Sequence, residues 1–206
     1  MIKQFFDYSV SIFLLLILLA PMVFLWIVCS ISTKQNGFFL HKRVGKNQQE
    51  FWIWKYRTMK GSYASSITTT QMQVTKIGKL IRKYKLDELP QLINILRGEM
   101  SFVGPRPDTK DIIELLSENE KKFLQLKPGI TGMAQLKYRN EEEILSQQLN
   151  PEEYYKTVIW KKKAHLNNWY YENQSLGLDL KILLHTIFPF LPDSFSIKNL
   201  APAQEV

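Results

Sequence analysis

The chain has 206 residues, of which 45% are hydrophobic and 13% aromatic, so it is long enough for one ordinary domain and too apolar to be disordered. Its single cysteine, Cys29, excludes an internal disulfide framework and a metal site built from several thiolates. The three histidines, His41, His165 and His185, lack the spacing of metal ligands.

The net charge of +8 is concentrated in one part of the chain. Residues 33–86 contain twelve Lys and Arg residues and a single acid, Glu50, and therefore carry +11. The other residues together carry −3. A basic surface of this size indicates an anionic partner: nucleic acid, a phosphate-bearing small molecule or a membrane surface.

Residues 8–31 form an apolar segment without a charged side chain. As a helix, the segment would extend for about 36 Å, which is sufficient for a bilayer. The basic residues that follow it predict that its C-terminal side faces the cytoplasm. Because Pro21 removes a backbone hydrogen bond in mid-segment, two arrangements remain open. One is a kinked spanning anchor, and the other is a re-entrant helix that bends at Ala20 and Pro21 and returns to the same face.

The rest of the chain predicts an α+β fold that is mainly helical. Two aromatic-rich runs in residues 37–59 flank a Gly-Lys-Asn turn and predict a β-hairpin, with Lys55 and Arg57 on the face opposite the tryptophans. Residues 61–73 have the composition of a loop. We predict helices over 75–86, 87–97, 108–124, 151–173 and 176–188, with turns over 126–136 and a surface excursion over 141–153. The last helix is amphipathic and suited to a membrane surface.

An acidic pair, Asp87 and Glu88, follows five basic residues in ten. We place Asp87 at the N-cap of its helix, where the helix dipole and the nearby cations would both keep the carboxylate ionised. An ionised aspartate can act as a nucleophile on phosphorus or as a magnesium ligand. The spacing alone, however, favours a surface ion-pair network.

Several ordered motifs resemble those of the bacterial sugar transferase family, the monotopic phosphoglycosyl transferases. Residues 86–107 contain LDELPQL followed by N-x-L-x-G-E-M-S-F-V-G-P-R-P. Further matches are K-R-V-G-K (42–46), K-Y-R-T-M (55–59), T-K-I-G-K-L-I-R-K (75–83), K-P-G-I-T-G-x-A-Q (127–135) and L-D-L-K-I-L (178–183). Together with the apolar segment, these motifs cover nearly the whole chain.

The resemblance implies transfer of a sugar 1-phosphate from a UDP-sugar to undecaprenyl phosphate, with release of UMP. By this resemblance Asp87 is the nucleophile that forms a covalent phosphosugar intermediate, Glu88 is also required, and Mg²⁺ assists at these two carboxylates. Arg82 and Arg106 match arginines that hold phosphates. Arg139 matches a candidate nucleotide contact, and Lys55 and Arg57 are further candidates for phosphate or substrate binding.

The resemblance also implies an arrangement in the membrane. Residues 1–33 would form a re-entrant membrane helix, and residues 34–206 a catalytic domain on the cytoplasmic face of the bacterial inner membrane. That domain would contain a small β-hairpin and amphipathic interfacial helices. The expected partners are a UDP-sugar, undecaprenyl phosphate and membrane lipids, with no nucleic acid. The loops 61–73 and 137–150 are the places where we expect the choice of sugar to be made.

Three positions depart from the family pattern. Ala20 replaces the serine of a helix-breaking Ser-Pro, Tyr138 replaces a glycine before Arg139, and Asn167 replaces a common aspartate. We assign no catalytic role to Asn167. The competing hypothesis from a different class is a membrane-anchored protein without catalytic activity, whose basic patch binds anionic lipid or nucleic acid.

Overall fold

The computed structural model describes residues 2–61 and 73–190, and the contacts among residues divide the chain into two units. The first unit comprises Met1–Arg43 and Glu50–Met100, and the second comprises Val44–Gln49 and Ser101–Val206. The predicted loop 61–73 lies outside the described residues except at its two ends. The described part is mostly helical with small two-stranded sheets, which confirms the predicted fold class.

The first unit contains one long helix, two pairs of strands and two short helices. Its elements are α1 (Ile2–Thr33), β1 (Phe38–Val44), β2 (Glu50–Tyr56), β3 (Met59–Lys60), β4 (Gln73–Val74), α2 (Lys76–Lys83), a 3₁₀ turn (Leu86–Glu88) and α3 (Gln91–Leu96). Strands β1 and β2 pair across the short connection 45–49, which only an antiparallel hairpin allows. The hairpin predicted over 37–59 is thereby confirmed.

Helix α1 is a continuous run of 32 residues that includes Pro21. It is long and apolar enough to cross a membrane, and only 11% of its most apolar window is buried. A lipid-facing helix shows this low burial, whereas the core helix of a water-soluble protein does not. Its exposed apolar side chains include Phe13, Leu16, Ile17, Leu19, Phe24 and Ile31. These features support membrane anchoring, and the bend at Ala20 and Pro21 stays a prediction.

Helix α2 confirms the amphipathic helix predicted over 75–86. Thr75 caps it, because the Thr75 Oγ1 accepts a hydrogen bond of 2.9 Å from the backbone N–H of Gly78. The side chain of Ile81 is buried in the unit, whereas Ile77 and Leu80 on the same apolar stripe are exposed.

The helix predicted over 87–97 begins later than the sequence indicated. Lys85 adopts a left-handed conformation with φ of 54°, and a separate 3₁₀ turn follows it. Helix α3 starts after Pro90, whose missing N–H suits the first turn of a helix. Asp87 is therefore not an N-cap, and that prediction is wrong. Gly98, with φ of 76°, ends the helix as predicted.

The second unit is built mainly of helices around one apolar cluster. Its elements are a 3₁₀ turn (Lys46–Gln48), β5 (Ser101–Val103), α4 (Lys110–Ile113), a 3₁₀ helix (Lys122–Gln125), β6 (Gly129–Thr131), α5 (Met133–Lys137), α6 (Glu141–Ser146), α7 (Pro151–Tyr154), a π-helical segment (Tyr155–Ile159), α8 (Trp160–Asn173) and α9 (Leu176–Ile187). Strands β5 and β6 are parallel, with Ser101 opposite Gly129. The core cluster consists of Val44, Ile112, Ile113, Leu116, Phe123, Leu124, Trp160 and Ala164.

The predictions for the second unit are confirmed in part. Helices cover most of 151–173 and 176–187, as expected. The single helix predicted over 108–124 is wrong, because α4 ends at Ile113 and a turn follows. In that turn the Glu120 carboxylate accepts hydrogen bonds from the backbone N–H and the hydroxyl of Ser117, and such local bonds compete with the helix. The predicted surface excursion over 141–153 contains α6.

Candidate active site

The acidic pair lies on the 3₁₀ turn between α2 and α3, in the first unit. The left-handed Lys85 ends the run of basic residues and starts this turn. Within the turn the two carboxyl groups have different surroundings: Glu88 is buried, with 8% of its surface exposed, and Asp87 is half-buried. The two residues therefore offer different chemistry, as their adjacent positions in the sequence predict.

Glu88 forms an ion pair with Lys55 of strand β2. The Lys55 Nζ donates a hydrogen bond to the Glu88 Oε1 at 2.9 Å, and 21% and 9% of the two side chains are exposed. The pair joins positions 33 residues apart in the chain, so it fixes the turn to the hairpin. A charge-assisted hydrogen bond between two largely buried side chains holds both groups in defined positions.

The pKa of Asp87 is raised above its usual value. Burial is the largest cause, and the neighbouring carboxylate of Glu88 adds to it. The positive charges of Lys55 and Arg82 lower the pKa but do not cancel the burial. The prediction that the surroundings of Asp87 favour its charged form is wrong, because burial, a property of the folded chain, outweighs the nearby cations.

Asn94 of α3 connects the helix to the edge of strand β2. Its Oδ1 accepts a hydrogen bond of 3.0 Å from the backbone N–H of Trp54, and its Nδ2 donates a bond of 2.8 Å to the carbonyl of Trp52. The fully buried Asn94 side chain thus makes the hydrogen bonds to the edge of β2 that a neighbouring strand would otherwise make. The sequence motif contains this asparagine, but nothing in its local spacing indicated the role.

Helix α1 lies beside the acidic pair. The buried thiol of Cys29 is close enough to Asp87 to interact with it electrostatically. The phenol of the buried Tyr56 donates a hydrogen bond of 2.7 Å to the carbonyl of Met22, one residue after Pro21. The candidate nucleophile is therefore adjacent to the helix whose other faces are exposed and apolar.

The first unit separates the predicted phosphate ligands. Arg82, in the last turn of α2, is exposed and acts on Asp87 through its charge. Lys55 forms its ion pair with the Glu88 carboxylate. Arg57 instead donates from Nε to the carbonyl of Asn36 at 2.9 Å, and its guanidinium lies 5.4 Å from the ring centroid of Phe39.

Arg106 and Arg139 belong to the second unit. Arg106 follows β5 and lies close enough to Tyr155 to act on its pKa, which burial and Asp108 raise. The Asp108 carboxylate accepts bonds from the Tyr155 hydroxyl at 3.2 Å and from the Thr109 N–H at 2.9 Å, so the segment carrying Arg106 is fixed. Arg139 donates from Nη2 to the carbonyl of His185 at 2.8 Å.

The other departures from the family pattern also lie in the second unit. Asn167 is buried within α8. Tyr138 follows α5, and burial raises the pKa of its phenol.

A divalent cation would find two adjacent carboxylates here, Asp87 and Glu88. No cluster of three or more His, Cys, Asp or Glu side chains suited to a metal occurs within 2–61 and 73–190. An ion at this pair would thus complete its shell with water and substrate phosphates, which is how Mg²⁺ usually binds. The pair fits that mode of binding.

Comparisons with known proteins agree with the motifs. The model of the family described as "Bacterial sugar transferase" matches residues 1–192. The chain is 37% identical over 188 residues to the uncharacterized sugar transferase EpsL of Bacillus subtilis (strain 168), covering 90% of this chain and 85% of that protein. It is 35% identical over 206 residues to the exopolysaccharide production protein ExoY of Sinorhizobium fredii, covering 90% and 83%.

A longer relative has a more specific name. The undecaprenyl-phosphate galactose phosphotransferase of Salmonella typhimurium is 30% identical over 206 residues, which cover 90% of this chain and 39% of that protein. The match to the family model spans both units of the structure and includes the acidic pair with its surroundings. The chain belongs to the bacterial sugar transferase family.

Proposed function

We propose that the protein transfers a sugar 1-phosphate from a UDP-sugar to undecaprenyl phosphate and releases UMP, as a membrane step in the synthesis of an exported glycan. The observation that carries this proposal is the half-buried Asp87, which interacts electrostatically with Lys55, Glu88 and Cys29 of the lipid-facing α1. A site in this position can receive a soluble donor and a lipid acceptor. The name of the Salmonella relative, undecaprenyl-phosphate galactose phosphotransferase, supports the acceptor.

The first half-reaction uses Asp87 as the nucleophile. One carboxylate oxygen attacks the β-phosphorus of the donor, the bond from that phosphorus to the bridging oxygen breaks, and UMP leaves with the electron pair. Arg82, near Asp87, would neutralise charge on the transferring phosphate, and Arg106 and Arg139 are the candidates from the second unit. Raising the energy of the ionised carboxylate by burial makes Asp87 a more reactive nucleophile once it is deprotonated.

The second half-reaction regenerates the carboxylate. A phosphate oxygen of undecaprenyl phosphate attacks the same phosphorus, and the bond between Asp87 and phosphorus breaks. The product is the undecaprenyl diphosphate sugar. Mg²⁺ bound by Asp87, Glu88 and the donor would supply charge neutralisation.

The proposal includes a re-entrant α1, with residues 34–206 on the cytoplasmic side of the inner membrane. A straight helix of 32 residues would extend for about 48 Å, more than the ~30 Å hydrocarbon core of a bilayer. The excess length and the central Pro21 support a bend that returns the chain to one face. The Tyr56 hydroxyl donates to the carbonyl of Met22, one residue after Pro21, so the hairpin contacts α1 next to the proposed bend.

The test is UMP release by the full chain in membranes, supplied with undecaprenyl phosphate and a panel of UDP-sugars. Asp87→Asn should reduce release with the right donor by a factor of about 10³ or more, because the attacking oxygen is lost. Asp111→Asn, the same change at an exposed aspartate of α4, is the matched control. Without acceptor, mass spectrometry should find the sugar phosphate attached to Asp87.

Two results would contradict the proposal. Normal UMP release by Asp87→Asn would show that another group is the nucleophile. The binding-protein alternative would be favoured if the wild-type chain released no UMP from any donor and bound anionic lipid or nucleic acid in a salt-sensitive way.

A further inference from the structure

The hairpin and the segment that follows α1 enclose an open cavity of about 680 Å³. This volume falls in the range of sites that hold small molecules. All of its lining residues belong to the first unit, and neither Asp87 nor Glu88 is among them. The lining residues are Gln35, Asn36, Phe38, Phe39, Leu40, Trp54, Arg57 and Gly61.

Arg57 is the cation of this cavity. Among the described residues its guanidinium donates to two backbone carbonyls, those of Asn36 at 2.9 Å and Phe38 at 3.5 Å. It forms no ion pair with any residue in the described ranges 2–61 and 73–190, whereas Lys55, two positions earlier, is paired with Glu88. A half-buried guanidinium that meets no carboxylate among the described residues attracts an anion, and its planar donors suit a phosphate.

The walls of the cavity are suited to an apolar chain. Four of the eight lining residues, Phe38, Phe39, Leu40 and Trp54, carry large apolar side chains, and the ring centroids of Phe38 and Trp54 lie 5.5 Å apart. A free phosphate or a nucleotide would gain little from Leu40, a side chain that is 42% exposed. A ligand with a phosphate head and a hydrocarbon chain would use both Arg57 and these walls.

The cavity begins where the lipid-facing helix ends. Helix α1 stops at Thr33, and its Trp26 contacts the cavity wall through a ring distance of 6.2 Å to Phe38. The Trp26 Nε1 also donates to the Asn36 Oδ1 at 3.2 Å. Tryptophan is enriched at the headgroup level of membranes. A lipid lying along the exposed apolar surface of α1 can therefore place its head at Arg57.

We propose that this cavity binds the lipid acceptor, with the phosphate on Arg57 and the first isoprenoid units against Phe38, Phe39 and Leu40. The inference rests on the proposed function and adds a separate place for the acceptor. Arg57 directly follows strand β2 and lies two positions after Lys55 in the chain. The acceptor would therefore bind near the Asp87 site without taking the place of Glu88 at Lys55.

The first test is direct binding of farnesyl phosphate, a short polyprenyl phosphate, to the full chain in nanodiscs of neutral lipid. Arg57→Gln should weaken binding about 10-fold or more, and Arg57→Lys should restore part of it. Lys42→Gln removes a charge from the same hairpin outside the cavity and should change binding less than about 2-fold. Farnesol, which lacks the phosphate, should bind wild type and Arg57→Gln equally.

A second variant tests the same cavity independently, in case Arg57→Gln weakens binding only because it misfolds. Leu40→Asp places a carboxylate at an exposed position of the cavity wall and should also weaken farnesyl phosphate binding, by charge repulsion. In the transfer assay, both variants should raise the KM for undecaprenyl phosphate about 10-fold or more. The matched control Lys42→Gln should keep both this KM and the stoichiometric UMP burst of the first half-reaction within about 2-fold of wild type.

Three outcomes would overturn the inference. Normal farnesyl phosphate binding by both variants would exclude this cavity as the site. Competition by UMP or inorganic phosphate as strong as that by farnesyl phosphate would make it a site for soluble phosphates, and equal competition by phosphatidylglycerol vesicles would make it a general anionic-lipid site. Arg57-dependent binding without UMP release from any donor would support the cavity and contradict only the transfer reaction.

Discussion

Asp87 has to satisfy two opposing demands at the scale of one residue. Attack on phosphorus needs the ionised carboxylate, and burial together with Glu88 raises the pKa of that carboxylate. Lys55 and Arg82 reduce this effect without removing it. The fold therefore places this carboxyl group where its ionised form is disfavoured, a common feature of functional sites.

Asp87→Asn should consequently raise the free energy of unfolding at neutral pH. A pKa raised in the folded state means that ionisation of Asp87 lowers stability, starting near the usual value of 3.8 and fully once pH exceeds the raised pKa. The stability difference between variant and wild type should therefore grow with pH across that window and shrink in acid. Chemical denaturation at a series of pH values measures it.

The control for this prediction is Asp111→Asn, at an exposed aspartate, which should show a smaller change. Lower stability of Asp87→Asn at neutral pH would mean that the attractions of Lys55 and Arg82 for the carboxylate exceed the cost of its burial.

At the scale of elements, α2 is pressed closely against the residues that follow the hairpin. A Cβ at Gly78 would lie 2.2 Å from the carbonyl oxygen of Thr58, and the Thr75 N–H donates to the same oxygen at 3.0 Å. The absence of a side chain at Gly78 permits this approach. Since α2 carries Arg82, the packing also sets where that charge lies relative to Asp87.

Gly78→Ala should lower the free energy of unfolding by about 2 kcal/mol, because the added methyl group forces α2 away from Thr58. It should also slow the UMP burst several-fold, since Arg82 moves with the helix. Gly177→Ala is the matched control, because no atom lies within 4 Å of the Cβ position in α9. That variant should be neutral or up to about 1 kcal/mol more stable. Equal changes in the free energy of unfolding at both glycines would show that helix propensity determines the effect, and not the contact between Gly78 and Thr58.

At the scale of the whole molecule, exposed apolar surface is extensive on two of the described helices. It covers most of α1, and it recurs as a stripe on α9 formed by Leu176, Leu180, Leu184 and Ile187. Continuous apolar surface of this kind on a helix indicates a partner other than water. The topology of α1 decides whether the N-terminus and the rest of the chain are on one side of the bilayer.

The re-entrant topology can be tested by labelling with a membrane-impermeant maleimide in a Cys29→Ala background. Gln4→Cys should be labelled only after the cells are permeabilised, in the same way as Glu118→Cys on the exposed surface of the second unit. Labelling of Gln4→Cys in intact cells, with Glu118→Cys still protected, would establish a spanning helix.

Local features of this protein were predictable because they depend on residues that are near one another in the chain. The apolar run, the hairpin, α2 and the stop at Gly98 follow from periodicity and turn chemistry, and the structure confirms them. The helix predicted over 87–97 begins late, after the left-handed Lys85 and a 3₁₀ turn, and the single helix predicted over 108–124 is interrupted before the Ser117–Glu120 bonds.

The sequence by itself determined which chemical groups are present: an acidic pair, a basic segment, and an apolar helix next to them, in an order that identifies the family. The tertiary structure decided which residues each of these groups contacts and how deeply each is buried. Burial raised the pKa of Asp87, Asn94 joined α3 to a strand 40 residues away, and two cations of one motif received different partners, Lys55 with Glu88 and Arg57 with the cavity. These outcomes depend on contacts between distant parts of the chain, which local spacing does not encode.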